Sequence, residues 1–96
     1  MYARVTTASV KPDKFDENVK TMRELLPLIK KQKGFKGGFF LTNRATGKAI
    51  IISTWKAEAD MTAAADSAAL KEGSAKMMPL VVAPPTSEQY EVTIKL

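Results

Sequence analysis

The segment "KAIIISTW", residues 48–55, sets three isoleucines side by side and closes on the chain's one tryptophan. Side chains alternate between the two faces of a strand, so Ile50 and Ile52 share one face while Ile51 and Trp55 take the other. The preceding segment "GGFFLTN" behaves alike, with Phe39 and Leu41 pointing one way and Phe40 the opposite way. A sheet with helices on one side and water on the other alternates apolar with polar residues, and these two strands do not. At about 25 cal/mol per Å² of apolar surface, leaving one such face wet forgoes several kcal/mol. A chain of 96 residues has no third layer to offer. The expected cover for the second face is a second copy, sheet against sheet, in a two-fold homodimer.

The remaining segments supply the rest of a small sheet-and-helix domain. "YARVTTASV" (2–10) is rich in Val, Thr and Tyr and reads as a first strand. "KPD" breaks it, and Asp13 stands where a helix cap is expected. Phe15, Val19, Met22, Leu26 and Ile29 then recur at helical spacing. Pro27 falls within that helix and is expected to kink it, and Gly34 stops it. "NRATG" supplies the turn between the two apolar strands, making a hairpin. An alanine-rich helix follows from Glu58, with Met61, Ala64, Ala65 and Ala68 on one face and a break near Ser67. It resumes through Leu70 toward Met77 and Met78 and ends at Pro79. "EQYEVTIKL" (88–96) reads as the last strand, with Tyr90 alternating with Val92 and Ile94 and expected in the core. The order βαββαβ over one domain, residues 1–96, is ferredoxin-like: an α+β fold with a four-stranded antiparallel sheet and both helices on one face.

Composition narrows the chemistry. The chain has no cysteine and no histidine. Disulfides, thiolate ligands and imidazole bases are therefore excluded, and any base must be Asp, Glu, Lys, Tyr or the substrate itself. The ten acidic residues are scattered, so no metal site is expected. No apolar run is long enough for a membrane span and no export signal is visible, which makes the cytoplasm the expected location.

The net charge of +5 raises the question of nucleic acid. Its densest part, Lys30, Lys31, Lys33 and Lys36, falls where a helix C-terminus welcomes cations. "KGFKGGFF" (33–40) imitates the start of an RNA-recognition signature, but it opens the second strand where the signature belongs on the third. The third strand lacks paired aromatics and the first offers only Tyr2. No nucleic-acid partner is expected.

The stretch "KQKGFKGGFFLTNRATGKAIIISTWKAEADM" resembles the centre of antibiotic biosynthesis monooxygenase-type domains. The helix, Gly-Phe-x-Gly, hairpin and strand ending in Trp before an acidic helix start appear in the family's order. The likeness extends from "YARVTT" to "YEVTIKL". It implies a dimeric α+β barrel with a ligand pocket between the helices and sheet of each subunit. Some members oxidise polycyclic aromatics with molecular oxygen and no cofactor, and others cleave haem. Haem-cleaving members carry an Asn on the first strand and a Trp and a His on the second helix. Those places align with Val5, Ala64 and Ser74 here, so haem cleavage is not expected.

What the resemblance implies is a cofactor-independent monooxygenase acting on an aromatic or quinone-like small molecule; the alternative is a non-catalytic barrel that binds a small apolar ligand or serves in a stress response. In the oxygenase chemistry the substrate anion itself gives the electron to oxygen. The candidate substrate-binding residues are Trp55 (stacking), Arg4 or Asn43 (holding an oxyanion), Met61 with Met77 and Met78 (an adaptable wall) and Tyr90, which with Tyr2 could relay a proton. Each also has a plain structural role open to it: core plug for Trp55, turn residue for Asn43, surface charge for Arg4. No catalytic residue is assigned. The small residues of the second helix leave space for a ligand beneath it.

Overall fold

The computed structural model describes residues 1–96. The elements are β1 (Tyr2–Ser9), α1 (Phe15–Lys30), β2 (Phe35–Asn43), β3 (Lys48–Trp55), α2 (Glu58–Ala65), α3 (Ala68–Met77) and β4 (Thr86–Glu91). The strands form one sheet in the order β2-β3-β1-β4, antiparallel throughout. This is the ferredoxin-like arrangement, with the second helix of that plan broken into α2 and α3. Ser67 marks the break: its hydroxyl donates to the Ala64 carbonyl at 2.7 Å and accepts from the Leu70 amide at 3.3 Å. One residue thus ends one helix and caps the next.

The strand register sorts the sheet into two faces. Tyr2, Arg4, Thr6 and Ala8 of β1 stand opposite Trp55, Ser53, Ile51 and Ala49 of β3, and this face lies under the helices. The outer face carries rows that run across the strands, Phe39–Ile52–Val5 and Leu41–Ile50–Thr7. No element of the chain covers those rows, and Phe39 remains 69% exposed.

The inner face does not make one continuous core. Val10, Phe15 and Ala49 form a cluster at one end, with Phe40 against it. Trp55, Met61 and Ala64 form another, joined by Tyr2, Phe35 and Leu70. Ala49 and Trp55 lie at the two ends of β3, so the strand's middle runs between the clusters. That interval is where the cavity opens.

Four details differ from the sequence reading. The buried stripe of α1 is Phe15, Asn18, Met22 and Leu25, rotated from the expected Val19 and Leu26, and Leu26 is exposed. A polar residue on the stripe disguised it. Asp13 caps nothing: it lies in a 3-10 turn (Pro12–Lys14), and α1 starts without a side-chain cap. The last strand is Thr86–Glu91 instead of 88–96, and past it the Val92 amide adds one bond to the Met1 carbonyl at 2.9 Å. Tyr90 pairs with Ala3 on the outer face and is 49% exposed, so within the chain it is not core. Pro27 lies within α1 as expected, and the helix continues past it to Lys30.

Candidate functional site

A cavity of about 340 Å³ separates the inner face of the sheet from α1 and α3. Its floor includes Arg4 and Thr6 of β1, Phe40 of β2, and Ile51 and Ser53 of β3; Asn18, Met22 and Leu25 of α1 and Gly73 and Met77 of α3 form its roof. Exposed Leu28 and Met78 stand at its margin, so the space connects with solvent. Sixteen of its 24 lining residues are hydrophobic. Ligand pockets range from about 300 to 1,000 Å³, which puts this one near the small end.

The helices sit close together above it. A Cβ added at Gly73 would lie 2.7 Å from a Leu25 methyl, inside contact distance. Glycine in a helix interior costs about 1 kcal/mol relative to alanine. Here it lets α3 approach α1 where any side chain would meet Leu25.

Arg4 is the one ionisable residue in the lining. The chain's two ion pairs, Lys14–Glu17 and Arg44–Asp16, lie elsewhere and leave its guanidinium without a carboxylate. Ser53 is its direct cross-strand partner on β3. Residues so paired hold their Cβ atoms about 5 Å apart on one face. The Trp55 indole N–H donates to Ser53 Oγ at 3.0 Å. That bond occupies a lone pair on Ser53 and leaves its hydroxyl proton free to donate. A cation and a hydroxyl donor therefore stand together on a floor that also holds Thr6 and the apolar Phe40 and Ile51. This is a place for an anionic oxygen attached to an apolar body.

The predicted site residues fall into two groups. Arg4, Trp55 and Met61 all line the cavity, as do Met77 and Met78. Trp55 is buried, and Phe35 packs edge-to-face against it at 5.4 Å and 80°. Its ring is thus a fixed wall at the cavity's end. Asn43 lies outside the site, in the β2–β3 turn, where its side-chain oxygen accepts from the amides of Ala45 at 3.1 Å and Thr46 at 3.3 Å. Tyr90 is on the opposite face of the sheet and donates to the Glu88 carboxylate. That hydrogen bond, with desolvation and the Glu88 charge behind it, raises the Tyr90 phenol above its ordinary value of 10.0. Tyr2 packs beside Trp55 without lining the cavity. Val5, aligned above with the haem-cleaving Asn, points to the outer face; Arg4 and Thr6 are the neighbours that point inward.

Sequence reasoning missed Asn18, Ser53 and Gly73. Asn18 is 1% exposed, and its side-chain oxygen has no hydrogen-bond partner. Its amide nitrogen reaches toward the Met77 sulfur at 3.9 Å. The available signal was a polar residue three after Phe15 and four before Met22, on the helix's buried stripe. No three acidic side chains converge anywhere in the chain to hold a metal ion. No helix is long and apolar enough to cross a membrane.

Comparison with known proteins places this geometry. A candidate antibiotic biosynthesis monooxygenase from Nitrosomonas europaea superposes with a TM-score of 0.87 at 18% identity, covering 98% of this chain and 100% of that one. A similarly named protein from Caulobacter crescentus gives 0.86 at 18% identity, over 97% and 90% of the two chains. A conserved protein from Methanosarcina mazei gives 0.84 at 18% identity, over 95% and 92%. Identities this low speak for the fold alone. No curated protein matches the sequence. The sequence profile described as "Antibiotic biosynthesis monooxygenase" matches residues 1–76, which takes in the first three strands, α1, α2 and nearly all of α3. With that match over most of its length, this chain belongs to the antibiotic biosynthesis monooxygenase family.

Proposed function

We propose that the protein is a cofactor-independent monooxygenase acting on a hydroxylated aromatic or quinone-like molecule, and that it works as a homodimer joined through the outer face of its sheet. The observation that carries the reading is Arg4, without a carboxylate partner and paired across the sheet with Ser53, in the lining of a mainly apolar cavity. An engineered cavity of about 150 Å³ takes one benzene ring, so a little over twice that volume suits about two rings. The lining offers no carboxylate, imidazole or thiolate as a metal ligand. In the cofactor-free chemistry that the family resemblance implies, the electrons for oxygen come from the substrate.

The chemistry balances with oxygen as the sole co-reactant. A phenolate held by Arg4 and Ser53 transfers an electron to O2, and a C–O bond forms at a ring carbon to give a hydroperoxide. The O–O bond then breaks: one oxygen stays on the ring, and the other leaves as water with the ring hydrogen and a proton returned from solvent. Phenol plus O2 becomes quinone plus water. The chain binds the anion and keeps it beside Trp55 in a mainly apolar space. No titratable base lines the cavity, so the phenolic proton passes to solvent.

The test is oxygen uptake by metal-stripped protein with a series of two-ring phenols of different acidity. The expected result is one O2 consumed per quinone formed. The kcat/KM profile should rise with pH through each phenol's own ionisation, since that ratio reports free enzyme and free substrate. Binding without oxygen consumption would replace this reading with the second one, a non-catalytic ligand-binding barrel. The lack of any base in the lining favours that alternative.

A further inference from the structure

We infer that Asn18 is a specificity residue, whose side-chain oxygen accepts a hydrogen bond from a hydroxyl or N–H on the ligand, at the end away from the group that Arg4 holds. The inference rests on the reading of the cavity as a ligand site, and it adds a second polar contact on the opposite wall.

Buried side-chain oxygens are nearly always satisfied, and one left bare loses its hydration with no return. Asn18 Oδ1 is the chain's single buried side-chain oxygen or nitrogen without a partner. It belongs to a residue that lines the cavity roof from α1, whereas Arg4 rises from β1 on the floor. The orientation of the amide follows from chemistry. Its N–H group faces the Met77 sulfur, a weak acceptor. Reversal would set oxygen lone pairs against sulfur lone pairs. The oxygen is therefore the unpaired end, buried in a residue that lines the cavity, and an oxygen of this kind can only accept. Among the other lining polar groups Arg4 is a pure donor and the Ser53 hydroxyl proton is unspent, while Thr6 and Ser87 share one hydrogen bond at 2.9 Å that uses the proton of one of them. Asn18 thus supplies an obligate acceptor on the wall opposite the Arg4 and Ser53 donors. The ligand that satisfies both walls is anionic at one end, flat and apolar through the middle, and carries a proton donor at the far end. Asn18 touches no group that marks it as the seat of the oxidation step and is a selector of substrate.

The experiment measures binding of three probes to the intact protein by quenching of its single tryptophan: 2-naphthoate, 6-hydroxy-2-naphthoate and 6-methoxy-2-naphthoate. The carboxylate addresses Arg4, and position 6 lies at the other end of the two rings. In the wild type the hydroxy probe should bind about tenfold tighter than 2-naphthoate, an effect of roughly 1.4 kcal/mol. The methoxy probe, with no donor, should bind no better than 2-naphthoate. In Asn18→Leu the tenfold preference should vanish while 2-naphthoate binding persists. The melting temperature of Asn18→Leu should equal or exceed that of the wild type, because the change removes an unsatisfied group from the interior. Equal gains from hydroxy and methoxy would make volume the cause and overturn the inference. So would a tenfold preference that survives in Asn18→Leu, or a lowered melting temperature, which marks a structural asparagine. A bound water that already satisfies Oδ1 would show itself as no preference in the wild type, and that result overturns the inference as well. In each of those cases 2-naphthoate still binds and the cavity remains a ligand site. If none of the three probes binds the wild type, that underlying reading fails and the inference goes with it.

Discussion

Phe39→Glu is the sharpest perturbation of the proposed assembly. Phe39 is 69% exposed, at the edge of the row that continues through Ile52 and Val5. A phenylalanine presents roughly 200 Å² of surface, so about 140 Å² of this one is uncovered. At about 25 cal/mol per Å² its burial is worth roughly 3.5 kcal/mol in each copy, and a two-fold contact counts it twice. The glutamate forfeits that gain and brings a carboxylate into a drying interface. Even if only about 4 kcal/mol is realised, the dimer's Kd rises about a thousandfold. Sedimentation velocity across a micromolar dilution series reads the outcome directly: wild type as a dimer, Phe39→Glu as a monomer with an unchanged circular dichroism spectrum. The fold should survive because most of the Phe39 side chain is uncovered within its own chain. The neighbouring Phe40 packs against the Val10–Phe15–Ala49 cluster, so Phe40→Glu should unfold the protein instead. A wild type that sediments as one chain at these concentrations, or a Phe39→Glu variant that stays dimeric, would refute the proposed interface.

Two further outcomes follow from the side chains already described. Arg4→Met keeps an unbranched apolar stem and deletes the guanidinium; hydrogen bonds to charged groups are worth about 1.5–3 kcal/mol, so 2-naphthoate should bind roughly 10- to 150-fold more weakly. Its melting temperature should barely move, since Arg4 has no carboxylate partner to lose, and Arg4→Lys should recover part of the affinity. Tyr90, with its phenol raised by Glu88, keeps its proton beyond the usual range. The Tyr90–Glu88 contact therefore contributes fully below the ordinary phenol value and is lost as pH climbs through the raised one. Ultraviolet titration of the two tyrosines should show one late midpoint, and Glu88→Gln should bring it down; no change in Glu88→Gln would exclude the pairing.

How much of this could be read from the sequence depended on whether periodicity spoke alone. β3 was legible because "AIIISTW" is apolar on both faces, and no other element of a chain this short accommodates such a run. The Ser67 break was legible because serine is a poor residue for a helix interior and a good one for a cap. Asn18 was not, because a search for apolar spacing skips a polar residue on a buried stripe, and skipping it rotated the predicted face of α1. Tyr90 alternates as a buried strand would, but alternation gives the period and not the side. Only the register, with Tyr90 opposite Ala3, decides which face it joins. Ser53 failed for another reason. Its importance lies in its partners, the Trp55 indole two residues on and Arg4 across the strand, and pairing across β1 and β3 is a tertiary fact.

The two proposed tasks of the protein meet on its central strands. Along β1, Arg4 and Thr6 face the cavity while Ala3, Val5 and Thr7 face outward; along β3, Ile51 and Ser53 face in while Ile50 and Ile52 face out. One backbone, read at every second residue, serves the ligand on one side and the partner copy on the other. This explains why those strands cannot follow the usual alternation of apolar with polar. It also explains where the polar residues went. The inner face tolerates Arg4, Thr6 and Ser53 because the cavity separates them from the helices, so they need not be sealed in a packed core. The outer face, lacking any such space in its central rows, is apolar at Val5, Ile50, Ile52, Phe39 and Leu41. A cavity under the helices is thus what permits a charge on the covered side of the sheet, and the charge in turn gives that cavity a preferred end for an anion.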